Sequence, residues 1–258
     1  MINNKYNRIE KNDNLVKKVF AINNIFLILL LSLLGLTILS NVYAIPVGPT
    51  ILFNSTTNGS PTPAAQITTY GGSFTTLVLN VTGEDYRWKA YIGNVTGKLA
   101  LDDATGKAIF DWSVASVTGE VYATRNTSID WSTIVCADNN TINNEDIALN
   151  MSLSAPDTIN KTFVNKVHKS FYVGTTLIQN STCRAVATYV NGTAQSVTEN
   201  AVFQEILLKD GTSKLIYSTL INQNTTGYNN QKYDFQLIVA ENEYQASPTT
   251  YYLYVELV

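Results

Sequence analysis

His168 is the only histidine in the chain. A Ser-His-Asp triad needs a single imidazole to carry a proton, so the count alone does not exclude nucleophilic chemistry. No G-x-S-x-G elbow accompanies it, however, and Val167-His168-Lys169 falls in an irregular polar stretch. A surface or hydrogen-bonding histidine is the plainer reading. Cys136 and Cys183 are the only cysteines, with no Cys/His spacing that would seat zinc. In an exported chain they are expected to pair. The bridge would close a loop of 47 residues, a constraint on the unfolded chain of roughly 4 kcal/mol. Asp102-Asp103 offers adjacent carboxylates without an EF-hand pattern, so a hairpin turn is expected there, with a weak extracellular calcium site as the alternative. A glycosidase needs only two facing carboxylates, which any chain supplies. The fifteen tyrosines offer rings for stacking on sugars, although alternating tyrosines on half-buried strands more often pack. No catalytic residue, metal or cofactor is assigned.

The richest chemical signal is for modification. The N-x-Ser/Thr acceptor occurs at Asn54, Asn58, Asn80, Asn94, Asn126, Asn139, Asn150, Asn160, Asn180, Asn191 and Asn224. None of the eight asparagines before residue 45 carries one. A Ser/Thr/Asn-rich surface makes some sequons by accident, but their number and one-sidedness favour real glycan acceptors.

That asymmetry follows the N-terminus. Lys5, Arg8, Lys11, Lys17 and Lys18 stand against Glu10 and Asp13, and Ile25 to Leu39 is an apolar run broken only by Ser32, Gly35 and Thr37. Val42-Tyr43-Ala44 then offers a small-residue cleavage site. These are the parts of a secretory signal peptide. As a helix the run spans about 22 Å, short of the roughly 30 Å of bilayer hydrocarbon. An uncleaved membrane anchor and a pilin-type leader are the alternatives. Basic residues before the run keep that end inside, so everything after it crosses. Beyond residue 44 the chain holds twelve basic and eighteen acidic residues, a mildly acidic balance that argues against nucleic acid as partner.

Residues 45–65 hold four of the six prolines among Asn, Ser, Thr and Gly, and read as a glycosylated stalk. A β-domain is expected over 66–258. Ser73 to Val81 reads as a strand. Tyr86 to Arg125 reads as a four-strand meander with one wet face and a core built on Trp88, Phe110 and Trp112. One short helix is expected near 143–151, with Glu145 and Asp146 in its first turn, Ile147, Met151 and Leu153 inward, and Pro156 ending it. Phe171 to Ile178 and Ala185 to Val190 read as strands, and Asn191-Gly192 as a strong hairpin signal. Two hairpins follow: Ala201 to Leu208 with Lys214 to Leu220, and Tyr233 to Ala240 with Thr249 to Leu257. The fold class expected is all-β, an antiparallel sandwich of about ten short strands.

Tyr86-Arg87-Trp88, Gly93 to Gly97, Asp111-Trp112, Gly119 to Ala123 and the ending Tyr251 to Leu257 resemble a group of exported archaeal proteins. The resemblance covers most of the exported part. It implies an archaeal cell-surface setting and assigns no activity or site residue. The functional expectation is a non-enzymatic surface glycoprotein in adhesion, envelope or filament. The alternatives are a secreted carbohydrate-binding module and, behind it, a secreted hydrolase. Expected partners are other surface proteins or glycans, or further copies of the chain, with membrane contact only through a retained N-terminal segment.

Overall fold

The structure is a computed structural model that describes residues 45–60, 63–68, 70–113, 116–242 and 248–257; the expected leader over 1–44 lies outside the described residues. The first strands are β1 (Trp88–Gly93), β2 (Lys98–Asp102), β3 (Ala108–Ser113) and β4 (Gly119–Thr124). A 3-10 turn at Trp131–Thr133 leads to β5 (Val135–Cys136) and the helices α1 (Asn139–Ala148) and α2 (Ile159–Thr162). Then come β6 (Phe171–Val173), β7 (Thr176–Ile178), β8 (Ala185–Ala187), β9 (Gln204–Lys209) and β10 (Leu215–Leu220). The chain closes with β11 (Thr225–Thr226), β12 (Lys232–Tyr233), β13 (Phe235–Ala240) and β14 (Tyr252–Leu257).

The molecule is built on one antiparallel sheet ordered β14-β4-β10-β9, with β5 and β8 sharing the far edge of β9. Its central strands are buried on both faces, and alternation sorts their side chains between two cores. Ala123, Leu207, Leu215 and Tyr217 face one core, together with Leu237 and Val239 of β13, Ile142 of α1 and Phe163. Tyr122, Ile206, Leu208, Ile216 and Leu220 face the other, covered by Phe171 and Val173 of β6, Ile178 and Cys183. This explains the apolar runs Ile206-Leu207-Leu208 and Leu215-Ile216-Tyr217, which lack the alternation of a half-wet sheet. The second layer on the first face is the antiparallel pair β1–β13. At the other end Val47 extends the sheet beyond β14, exchanging both backbone bonds with Val255 at 3.0 and 2.8 Å.

The all-β expectation holds, and so does the β9–β10 hairpin. The meander over Tyr86–Arg125 does not form. β1 pairs with β13, β4 lies between β10 and β14, and only β2–β3 remains a local hairpin. Likewise β13 and β14 do not pair with each other. A strand buried on both faces takes its neighbours from the whole core, and the nearest turn does not decide them. Trp88 does enter the core edge, 6.3 Å from the Phe163 ring, with Nε1 donating to the Asp157 carbonyl at 2.8 Å. Phe110 and Trp112 do not: they are 58 % and 50 % exposed. Ser73 to Val81 forms no strand and lies exposed. Phe171 to Ile178 divides into β6 and β7, because Gly174, at φ +55, turns the chain back on itself.

The helix is present but begins earlier than expected. Asp138 caps it, accepting from the Thr141 N–H at 2.8 Å, so α1 starts at Asn139. The earlier start sets the inward face to Ile142, Asp146 and Leu149, at spacings of four and three. Ile147 and Leu153 are exposed, while Met151 is buried as expected. Glu145 and Asp146 therefore lie in the second half of the helix. Asn150, at φ 56, ends it well before Pro156.

Candidate functional site

The sequence-level candidates are spent on structure. His168 is fully buried between β6 and the approach to β8. Its Nε2 accepts from the backbone N–H of Thr182 at 3.2 Å and of Cys183 at 3.0 Å. With Nε2 an acceptor, Nδ1 carries the proton and donates to the Lys169 carbonyl at 2.8 Å. Burial holds its pKa below the ordinary histidine value. Both ring nitrogens are therefore occupied by backbone, which makes this a hydrogen-bonding histidine inside the fold and not a surface one. Beside it Cys136 and Cys183 form a disulfide with Cα atoms 4.9 Å apart. The bridge joins β5 to the residues just before β8, and these two strands share one edge of β9.

Asp102-Asp103 opens the turn between β2 and β3. Asp103 Oδ1 accepts from Thr105 N–H (2.8 Å), Thr105 Oγ1 (2.7 Å) and Lys107 N–H (3.0 Å). These bonds, that from Lys107 first, pull its pKa down. The β9–β10 turn repeats the arrangement. Asp210 Oδ1 accepts from Thr212 N–H (2.9 Å), Thr212 Oγ1 (2.8 Å) and Lys214 N–H (3.1 Å). Asp-x-Thr-x-Lys is thus one turn chemistry used twice, with Gly106 and Ser213 both at positive φ. Among the described residues no group of three or more His, Cys, Asp and Glu is arranged to hold a metal.

The groups that sequence reasoning missed are buried acids. Glu120 of β4 and Glu256 of β14 are cross-strand partners, and Glu205 of β9 is buried beneath β13. Glu256 accepts from Tyr122 Oη at 2.9 Å and from the Gly174 N–H at 2.8 Å. Glu120 Oε2 has no hydrogen-bond partner among the described residues, nor has Glu205 Oε1, although Glu205 Oε2 accepts from Ile238 N–H at 2.8 Å. Burial, and for Glu120 the neighbouring Glu256 charge, push these carboxyls above the usual range. The signal in the sequence was parity: Glu120 lies two residues from Tyr122, on the same face of the same strand. All three are shut in the core, whereas a hydrolytic pair must meet water. The open groove of about 360 Å³ lined by Arg125, Leu149, Asn242 and Thr249 is elsewhere. There Arg125 is already engaged by Glu145 at 2.6 and 3.2 Å.

What the molecule presents outward is amide, hydroxyl and ring. Of the eleven acceptor asparagines nine are exposed, Asn126 and Asn160 are half-buried, and none is buried. Asn160 Nδ2 donates to Asn143 Oδ1 at 3.2 Å, and Asn126 Nδ2 lies 3.4 Å from Thr124 Oγ1. Tyr228 and Tyr233 stack with ring planes 15° apart, and Tyr228 is 46 % exposed. The expected strand over Ala185–Val190 stops at Ala187, so Asn191-Gly192 closes a turn with only an isolated bridge between Val190 and Thr193 and no full hairpin. The turn docks beside the tyrosines, through bonds from its N–H groups to the Gly227 and Tyr228 carbonyls. No family model, curated protein or solved structure matches this chain.

Proposed function

We propose that the protein is a non-enzymatic, exported surface glycoprotein, displaying a disulfide-braced β-sandwich in adhesion, envelope or filament. The observation that carries this reading is the placement of the eleven acceptor asparagines. Every one lies at or near the surface, on turns, helix starts and irregular segments, and none would need the core to open for modification. A disulfide across the central sheet edge supports maturation in an oxidising compartment. The signal-like N-terminus supports export, and the resemblance to archaeal exported proteins supports the setting. Intact mass and N-terminal sequencing of the native protein test the proposal. The expected result is a chain lacking its leader, or retaining it in membrane, with added hexose mass and no free thiol. A bare, reduced chain in the cytosol would overturn it.

A second reading, sugar binding, is favoured by the stacked pair Tyr228 and Tyr233. A glycan array probed with the protein and with Tyr228→Ala tests it. A ligand lost on substitution supports binding there, and an array without any ligand removes it.

A further inference from the structure

Asparagine followed by glycine occurs twice in this chain, at Asn58-Gly59 and Asn191-Gly192, and both pairs are acceptor sequons. A glycine has no side chain to shield its backbone nitrogen or restrict its rotation. That nitrogen can therefore reach the carbonyl carbon of the preceding asparagine side chain and close a succinimide ring. The structure places the two pairs in different surroundings. Asn58 and Gly59 lie exposed in a segment without helix or strand, and neither has a hydrogen-bond partner among the described residues. Asn191 and Gly192 are exposed too, but their backbone is tied down. Asn191 N–H donates to the Gly227 carbonyl at 2.9 Å, and Gly192 N–H to the Tyr228 carbonyl at 2.6 Å. Val190 and Thr193, on either side, exchange both backbone bonds at 3.0 and 2.9 Å.

We propose that Asn58 is a self-modifying site: where it carries no glycan, its side-chain amide is lost through attack by the Gly59 nitrogen, while the fold holds the same pair at Asn191 unreactive. The bond from Gly59 N to Asn58 Cγ forms as the Cγ–Nδ2 bond breaks. The Gly59 proton leaves with the amide nitrogen as ammonia. Water then opens the ring at either carbonyl, giving aspartate or isoaspartate, and nothing is oxidised or reduced. At Asn191 the attacking nitrogen must first leave the Tyr228 carbonyl, and the turn must twist against the Val190–Thr193 pair. Two hydrogen bonds' worth of added barrier slows the step about thirtyfold. The inference deepens the surface-glycoprotein reading and rests on it for one point only. Nδ2 of Asn58 is the atom a glycan would occupy, so glycosylation and amide loss exclude each other. A bare Asn58 is thus an acceptor with a limited life, because its product is no longer a sequon. Asn191 keeps its amide for as long as the fold holds. The product also puts a negative charge into a stretch that has none from residue 45 to residue 83. The Glu84 carboxylate already lies against Gly59, so the new charge faces a like one and loosens that contact.

The test is peptide mapping of the full chain, made without glycosylation and with its disulfide formed. It is incubated at neutral pH, folded and in urea, and aspartate and isoaspartate are quantified at both pairs. In the folded chain Asn58 is expected to convert about thirtyfold faster than Asn191. In urea the two rates are expected to converge, because each asparagine has the same follower and neither is held. Gly59→Ala encumbers the attacking nitrogen, and should leave Asn58 intact over the time in which wild type converts. Equal rates in the folded chain, or an Asn58 that stays intact there, would overturn the proposal. A difference that persists unchanged in urea would overturn it as well, since sequence and not fold would then set the rates. Native protein bare of glycan at every acceptor would sink the surface reading and leave this comparison standing. A failed comparison beside occupied acceptors would do the reverse.

Discussion

Glu120 and Glu256 face each other directly across the antiparallel β4–β14 pair, in the interior, with no cation among their hydrogen-bond partners in the described residues. Glu256 has two donors, and Glu120 Oε2 has none among the described residues. Two such neighbours cannot both ionise cheaply, so the folded state holds a proton that the unfolded chain releases.

The direction of the pH effect follows. The folded pKa of Glu120 and Glu205 lies well above the unfolded value of 4.5, and that of Glu256 is also raised. Their contribution is whole below the ordinary carboxylate range and is lost as pH rises through the folded values. The stability of wild type relative to Glu120→Gln should therefore fall as pH rises above the ordinary carboxylate range. Glu120→Gln should raise stability at pH 8 by roughly 1–3 kcal/mol and change little at pH 4. Urea midpoints of the two proteins that differ equally at pH 4 and pH 8 would refute the assignment.

His168 acts in the opposite sense. Its pKa is lowered by burial, so its contribution is present above the unfolded value of 6.5 and is lost as pH falls below it. His168→Ala also strands the N–H groups of Thr182 and Cys183 beside the disulfide. Cys183 is buried and Thr182 exposed, so the expected cost at pH 7.5 is that of one stranded buried donor, roughly 1–3 kcal/mol. The variant should also lose part of the acid limb of the stability profile below pH 6.5. Denaturant titrations at two pH values measure both. A neutral substitution would mean that the imidazole is not holding the backbone.

How much of this was legible depended on range. The β9–β10 hairpin was legible because Asp210-Gly211 lies between two apolar runs that close on each other. The disulfide was legible from count and compartment. The partners of β1 and β4 were not, because alternation announces a strand and its faces without saying what lies beside it. Phe110 and Trp112 illustrate the limit: their parity with Leu99 and Leu101 was readable, but whether that face meets a core is a tertiary fact. Glu120 and Glu256 were passed over because a charged residue in a strand reads as an outward position, although parity with Tyr122 and Tyr254 placed both inside.

Opening the disulfide should separate chain entropy from local packing. Cys136→Ser with Cys183→Ser frees a loop of 47 residues, at an expected cost of about 4 kcal/mol if entropy dominates. Cys183 is fully buried and Cys136 is not. Cys183→Ser alone should then be the worse of the single variants. Thermal unfolding with and without reductant provides the comparison, and equal single-variant losses would contradict the burial argument.

The twin turns allow a controlled comparison, because the same local bonds sit in different surroundings. Asp103 is exposed on a hairpin outside the central sheet. Asp210 is fully buried, and its Oδ2 also accepts from the Asp130 N–H at 3.3 Å. Burial works against the Asp210 charge, yet the bonds from Lys214, Thr212 and Asp130 keep its pKa low. Asp210→Ala removes the carboxylate that closes the turn between β9 and β10, both buried almost throughout, and anchors the segment leading to Trp131. It should cost roughly 2–4 kcal/mol, while Asp103→Ala, where water can replace the lost acceptor, should cost less than about 1 kcal/mol. The decisive measurement is the pair of urea midpoints at pH 7. Equal losses would show that turn chemistry alone sets the cost, and a larger loss at Asp103 would mean that the β2–β3 hairpin is bound into a buried structure.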